Sequence, residues 1–592
     1  MASPVYFDRN AIGTGSGGNP TNAISDPAIF RAYAFAPTTD TEFRFANGAG
    51  WPFTTNKVEP GSAGKVTLTS YDNGSGSTQW PYFYCYENAG TIGGWIEIDP
   101  AYAVSPNTVN GGAASRVPMP GSKLWHTNGS IGGNFVGAYR LASGELKWGR
   151  RCRMLTDATG APKNAPAQDY AWGEPTFGGL CVYLTAGNPD ANTTVLRRPA
   201  GVTDSDMWTF NNPIGGFEMS GLEFAETDFA LTLQSTGTNV ISGVNVHHNK
   251  FRHSRKGFAL YGPGGTIYTA RNNGGFFRPI FAYNKGYKLG QMLFHAYGNV
   301  AVDQGKVYGN IARYTLQTEG AGTVYMDQSY CSDGSWFQVF CNWFDNSEYD
   351  GKYWLDGSAL YGERCSQNVD WWGNYFTNCY VAAHVNIGTG PHRVRNNVAV
   401  AGSLGARNAT FLRIVNATGG QAQIPLNLGY ADVSGNIADR FSLFAGAVAF
   451  DYTGTGYSTA RFLVHHNIAR GRRSLDTNDF TYPIQGNEGT LAAGGGGTIP
   501  NRRMVADRNN FTDYFGTTVT AHEYDGALTN WNDTPTGSMP VVNTSRASNA
   551  SIMSALPATD NTREDINYAM QIPQGITTGV IAAPKPALVP AA

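Results

Sequence analysis

The chain has 592 residues, 15% of them charged and 13% aromatic, with 74 glycines, nearly twice ordinary glycine usage. A formal net charge of -2 without runs of Lys or Arg argues against nucleic acid as the main partner. No apolar stretch has the length of a bilayer span, and seven cysteines in so long a chain are not a disulfide framework. Length alone suggests three or four domains, but one solenoid growing along an axis fits equally well. Many tight turns, few helices and a polar, uncharged surface suit that second solution.

The opening residues, Met1-Ala2-Ser3-Pro4-Val5-Tyr6-Phe7-Asp8, lack the basic and apolar regions of a secretory leader. A short strand at Val5-Tyr6-Phe7 is followed by a Gly-rich segment from Gly13 to Gly18. That segment matches G-x-G-x-x-G, but Asn19-Pro20 follows instead of an opening helix, so it reads as a plain loop. Asp26 and Pro27 then supply an N-cap and a first-turn proline for a helix expected to run to Phe35. Such a helix would cover the open apolar end of a solenoid. The stretch 61–71 alternates apolar and polar residues and predicts an early strand.

From about 90 to 205 only scattered strand signals appear, at Trp95-Ile96-Glu97-Ile98 and Leu180-Cys181-Val182-Tyr183-Leu184, and a β-rich insertion is expected. Beyond it the chain repeats. One unit is a short strand ending in a polar residue: Met292-Leu293-Phe294-His295, Val324-Tyr325-Met326-Asp327, Tyr353-Trp354-Leu355-Asp356 and Ala383-His384-Val385-Asn386. Between these lies a step, mostly Val-x-x-Asn, ending at Asn249, Asn284, Asn310, Asn342, Asn374, Asn397, Asn436 and Asn467, with intervals of 35, 26, 32, 32, 23, 39 and 31 residues. A period in this range without intervening helices predicts a β-solenoid, and the eight asparagines are expected to stack as a structural ladder. The predicted organisation is 1–60 strand, loop and capping helix, 61–90 first coils, 91–205 insertion, 206–511 main β-helix, and 512–592 C-terminal cap with a Pro/Ala-rich tail. Cys331, Cys341, Cys365 and Cys379 fall on neighbouring coils and are expected to be buried free thiols.

These repeats resemble the right-handed parallel β-helix of the pectate-lyase-like superfamily. The opening resembles its members too: strand, Gly-rich loop, capping helix, then Gly61-Ser62-Ala63-Gly64-Lys65-Val66-Thr67-Leu68. The resemblance covers about 60–510. It implies an all-β fold that hosts lyases, hydrolases, phage tailspikes and non-catalytic virion proteins. Without a leader, the chain looks most like a phage virion protein of tailspike type.

In such a fold, equivalent residues of successive coils lie about 4.8 Å apart. Aligning the strand units predicts one outward column of Gln234, Tyr261, His295, Asp327, Asp356, Asn386 and Asp451, and another of Ala259, Leu293, Tyr325, Trp354 and His384. Asp327 and Asp356 as neighbours would suit a retaining glycosidase, one carboxyl being raised by the other. Tyr325 and Trp354 would offer flat faces to sugar rings, with His384 and Asn386 alongside as substrate-binding groups. In a lyase, His295, His384 or Arg364 would be the base, and Asp327 and Asp356 could hold Ca²⁺; otherwise no cofactor is expected. The alternative for Asp327 and Asp356 is turn capping through backbone N–H groups. Further carboxylates at Asp345, Glu348, Asp350 and Glu363 could flank the groove. The pairs His247-His248 and His465-His466 are expected to point to opposite faces and hold no metal. Arg252, His253, Arg255 and Lys256 make one modest basic cluster.

The leading functional expectation is a virion-surface protein that binds, and could depolymerise, a host surface polysaccharide. Tailspike resemblance implies a homotrimer attached to other virion proteins, with no membrane insertion. The alternatives are a non-catalytic capsid or tail decoration protein, and a secreted cellular polysaccharide lyase or glycosidase.

Overall fold

The computed structural model describes residues 4–33, 38–85, 206–262, 274–298, 300–315 and 322–327 as continuous runs. In 87–197 and beyond 327 it describes mainly the strands and their adjoining turns, the last strand being His522–Tyr524. Three long sheets run the length of the molecule, of 13, 12 and 12 strands, and every pairing within them is parallel, as between Val5–Phe7 and Thr41–Ala46 at the start. Each coil contributes one strand to each sheet in turn. For one coil these are Val244–His247 in sheet one, Lys250–Arg252 in sheet two and Lys256–Tyr261 in sheet three. A fourth, four-stranded parallel sheet joins sheet three to sheet one in the middle coils. The fold is a parallel β-helix.

Strand chemistry explains the coil. Apolar residues at alternate positions point into a common lumen, as Phe224 and Phe251 do, with rings stacked at 5.4 Å. Phe258 and Phe281 stack likewise at 5.5 Å, and Phe344 and Phe376 at 5.5 Å. The lumen begins in an aromatic cluster. Phe7, Phe45, Trp51, Phe53, Phe83 and Trp208 all contact the ring of Phe30.

Phe30 is the buried residue of the helix Pro27–Ala32, whose N-cap Asp26 accepts from the Ala28 amide and whose first turn holds Pro27. The helix is shorter than predicted. It gives way at Tyr33, whose backbone is extended. The cap bond is 2.7 Å and exposed. Asp26→Ala is expected to destabilise this end by about 1 kcal/mol, read as faster amide exchange at Ala28 and Ile29 with the later coils unchanged.

Between Glu87–Asn88 and Thr193–Arg197 the strands pair antiparallel with one another, in two four-stranded sheets and one hairpin. Parallel pairing resumes where Trp208–Asn211 joins Lys57–Glu59 on one side and Phe229–Gln234 on the other. At the far end, Asn510–Thr512 is followed by one more parallel strand, His522–Tyr524. The coils therefore extend past residue 511.

The Asn step is a turn with a specific backbone. The residue before each asparagine has positive φ: His248, Tyr283, Gly309, Cys341, Gly373, Asn396, Gly435 and His466, between 53° and 67°. That region is unfavourable for most side chains, and five of these eight are not glycine. The asparagine holds the turn in place. Asn284 N donates to Asn310 Oδ1 (2.8 Å), Asn310 N to Asn342 Oδ1 (3.0 Å) and Asn342 N to Asn374 Oδ1 (3.2 Å). The series continues to Asn467. Each amide nitrogen also reaches a carbonyl of the preceding coil, as Asn374 Nδ2 does to Val339 O. Cys85, Cys331, Cys341 and Cys379 are buried free thiols; Cys365 lies outside the described residues.

Candidate functional site on sheet three

The outer face of sheet three carries most of the predicted site residues, in a different register. Strand Phe294–Tyr297 turns Phe294 and Ala296 into the core, so His295 and Tyr297 face outward. Its backbone aligns His295 with Ala259 on one side and Tyr325 on the other. His295 therefore belongs to the Tyr325 column and not to that of Asp327. Tyr297 takes its place in the column of Gln234 and Tyr261. The predicted strand at 292–295 was set two residues early. A two-residue slip keeps every side chain on its face, so alternation could not detect it.

The next coil departs further. The strand beside Gly322–Asp327 is Ser358–Glu363, which aligns Tyr361 with Tyr325 and Glu363 with Asp327. The residue beside Asp327 is thus Glu363, not Asp356. Trp354, Asp356, Arg364, Glu348, Asp350 and Asp451 lie outside the described residues, and so does the Ca²⁺ pair that needed Asp356. One coil on, Tyr361 aligns with His384, and Gly362 with Val385.

A continuous stack of rings crosses from the column of Tyr261 and Tyr297 into that of His295, Tyr325, Tyr361 and His384. Tyr261 and Tyr297 are 4.7 Å apart, Tyr297 and His295 4.2 Å, His295 and Tyr325 4.9 Å, Tyr325 and Tyr361 5.0 Å, and Tyr361 and His384 4.1 Å. From Tyr297 to His384 the planes lie within 19° of parallel. This geometry corrects the expected role of Tyr325. Both of its faces are covered by neighbouring rings, so it offers a ligand its edge and hydroxyl, not a flat apolar platform. Each stacked pair is worth about 0.5–1.5 kcal/mol to the fold.

His295 is 5% exposed, and both ring nitrogens are buried without a hydrogen-bond partner. Burial holds it well below the usual imidazole range, and the Lys256 charge adds to the effect. It is a neutral base over the physiological range. Burial likewise raises the hydroxyl of Tyr297, with Asp206 and Tyr261 contributing. Burial raises the carboxyl of Asp206 while the Thr232 hydroxyl and Lys256 pull the other way. A carboxyl, an ammonium, a neutral imidazole and a phenol thus act on one another at one end of the stack. Asp206 in this role was invisible in sequence, because it precedes the first regular strand after the insertion and follows no repeat, and Lys256 stood out only as part of a basic cluster.

The remaining candidates are structural. Asp345 is a buried strand residue. It accepts from Arg313 Nε (3.1 Å) and Thr377 Oγ1 (2.8 Å). The basic cluster is largely neutralised: Arg252 pairs with Glu223, and Arg255 lies 3.6 Å from Asp228. The two His pairs do not point apart. His248 and His466 sit at the positive-φ position of their turns, not in a strand, and the backbone reversal brings each ring beside its neighbour. Nδ1 of His247 and of His248 are 2.8 Å apart, and those of His465 and His466 2.7 Å. Among the described residues no group of three or more His, Cys, Asp or Glu is placed to hold a metal ion, and no helix is long and apolar enough to cross a membrane.

No family model and no curated protein matches the chain. Among solved structures it is similar to the Pseudomonas phage phi297 tailspike gp61, at 9% identity over 90% of this chain and 79% of that one, with a TM-score of 0.29.

Proposed function

We propose that this protein is a tailspike-like component of a phage virion surface that binds a host cell-surface polysaccharide along the outer face of sheet three. The observation that carries the reading is the stack from Tyr297 to His384, with the unpartnered imidazole of His295 inside it. A solenoid repeats its outward groups at a fixed step along a straight axis, which suits a linear polymer that repeats its own hydroxyls. The part-exposed Tyr261, Tyr297 and Tyr325 present edges and hydroxyls, which are hydrogen-bonding groups, so recognition runs through hydroxyls rather than ring-face stacking. The protein acts as a homotrimer joined to other virion proteins, in keeping with the resemblance of its repeats.

Cleavage is the second part of the reading, favoured by the neutral His295, on which the Lys256 charge acts. In β-elimination His295, its nitrogens uncovered as substrate enters, would take the proton next to a uronate carboxylate as the bond to the departing sugar oxygen breaks, and Lys256 would offset that carboxylate's charge. In hydrolysis Asp327 would be one of the two carboxylates that such chemistry needs.

The test is binding of the purified chain to capsule, O-antigen and exopolysaccharide from candidate hosts, followed by product analysis. Tyr325→Phe keeps the stack and removes one hydroxyl. It is expected to weaken binding about tenfold, the worth of one hydrogen bond. Ultraviolet absorbance from an unsaturated product that is lost in His295→Gln supports elimination. New reducing ends without absorbance, lost in Asp327→Asn, support hydrolysis. No binding across the panel by the folded protein would overturn the assignment.

A further inference from the structure

We infer that the two His–His turns are chelating sites for a divalent transition-metal ion of the copper(II) or nickel(II) class, one at each end of the asparagine ladder. This inference is independent of the polysaccharide reading and concerns a different sheet. In both turns the first histidine ends a sheet-one strand on its outward face and the second occupies the positive-φ position before the asparagine. The rings stand nearly perpendicular, at 5.1 Å and 89° for His247 and His248 and at 5.0 Å and 81° for His465 and His466. In each pair one Nδ1–H donates to the other Nδ1, so an ion that displaces this shared proton meets both nitrogens.

The spacing selects the ion. With metal–nitrogen bonds of about 2.0–2.1 Å, separations of 2.8 and 2.7 Å subtend about 86° and 82° at the metal. Those values fit adjacent corners of a square-planar or octahedral shell, as copper(II) and nickel(II) prefer, better than the wider tetrahedral angle of zinc. Water would fill the remaining positions. All four rings are partly exposed, so an ion can enter from solvent.

An independent feature points the same way. The far nitrogen of each first histidine faces a carboxylate: His465 Nε2 lies 3.1 Å from Asp432 Oδ1, and His247 Nε2 lies 3.7 Å from Glu218 Oε1. A carboxylate holding the remote N–H, as Asp432 does for His465, is the usual outer partner of a metal-bound histidine, since it fixes the tautomer that leaves a lone pair on the near nitrogen; at 3.7 Å Glu218 lies beyond a hydrogen bond. The six intervening turns carry Ala282-Tyr283, Tyr308-Gly309, Phe340-Cys341, Trp372-Gly373, Arg395-Asn396 and Ser434-Gly435 at these positions. The turn therefore does not require histidine, and the two pairs are a feature of two coils alone.

The experiment is calorimetric titration of the tag-free full chain with copper(II), with electron paramagnetic resonance of the loaded protein. Two ions per chain are expected, each with two equatorial nitrogens. Asparagine tolerates positive φ, so His248→Asn and His466→Asn preserve the turns; each should remove one ion, and the double variant both. Asp432→Asn should weaken the second site about 10–100-fold and leave the first unchanged. Zinc should bind more weakly than copper at both sites. A wild-type titration that matches the double variant, or a resonance spectrum without paired nitrogens, would overturn the inference.

Discussion

Asn342→Ala is expected to cost about 3–5 kcal/mol, the sum of two or more buried polar groups left without partners at about 1–3 kcal/mol each. Asn342 is fully buried. Its Oδ1 accepts from the Asn310 amide (3.0 Å) and from Asn310 Nδ2 (2.9 Å). Its Nδ2 donates to Val307 O, Phe340 O and Asn374 Oδ1 at 3.1, 3.0 and 2.9 Å. Alanine removes all five bonds and offers no room for a replacement at the same depth. The backbone at Cys341, with φ of 55°, also loses the side chain that holds its turn closed. Long-range parallel pairing makes folding slow and prone to aggregation, so unfolding rate in denaturant at fixed temperature is the measurement of choice. The variant should unfold faster, or fail to accumulate as soluble protein. Asn342→Asp separates geometry from charge. It keeps the acceptor oxygen but sets a second oxygen against the carbonyls of Val307 and Phe340. Protonation relieves that clash, so this variant should lose less stability at pH 4 than at pH 7. An alanine variant within 1 kcal/mol of the parent would mean that the ladder is ornament and the αL turns hold themselves.

The ladder was legible because its signal is local. Each step is four residues long, and the asparagine recurs at every turn whatever the length of the loops between. The columns on sheet three were legible only in part, and the reason is physical. Alternation reports which face a residue occupies, not its height along the strand. His295 was therefore placed on the correct face but two residues away from its true neighbour. The apparent strand at 353–356 shares the apolar-polar pattern of the others, yet Ser358–Glu363 is the segment paired with Gly322–Asp327. Pairing depends on how much chain each connecting loop consumes, and loop length leaves no periodic mark. The His pairs failed differently. Opposite faces follow only from extended backbone, and the second histidine of each pair is not extended. The same positive φ that defines the Asn turn turns its ring back beside the first.

Acid should destabilise the β-helix through a residue that no sequence pattern singled out. His392 lies on the strand Pro391–Arg395, two positions before the core residue Val394 and aligned with Val369 and Ala431. It therefore shares the inward side, at 1% exposure, with both ring nitrogens buried and unpartnered. Burial pushes it from 6.5 down to about 4. Because its pKa is lower in the folded chain than in the unfolded one, the unfolded chain binds the proton first. The folded state is undisturbed above pH 6.5 and loses stability as pH falls from there to about 4. At about 1.4 kcal/mol per pH unit, that interval amounts to about 3 kcal/mol. His295, also depressed by burial, acts in the same direction. The decisive quantity is the difference between parent and variant. His392→Leu keeps the apolar volume and removes the proton site. Thermal unfolding of parent and variant should run close together at pH 7.5 and diverge steadily below pH 6.5, with the variant the more stable by about 3 kcal/mol at pH 4. Parallel curves over that range would show that the imidazole finds water in the lumen, and would remove His392 from the account of acid lability.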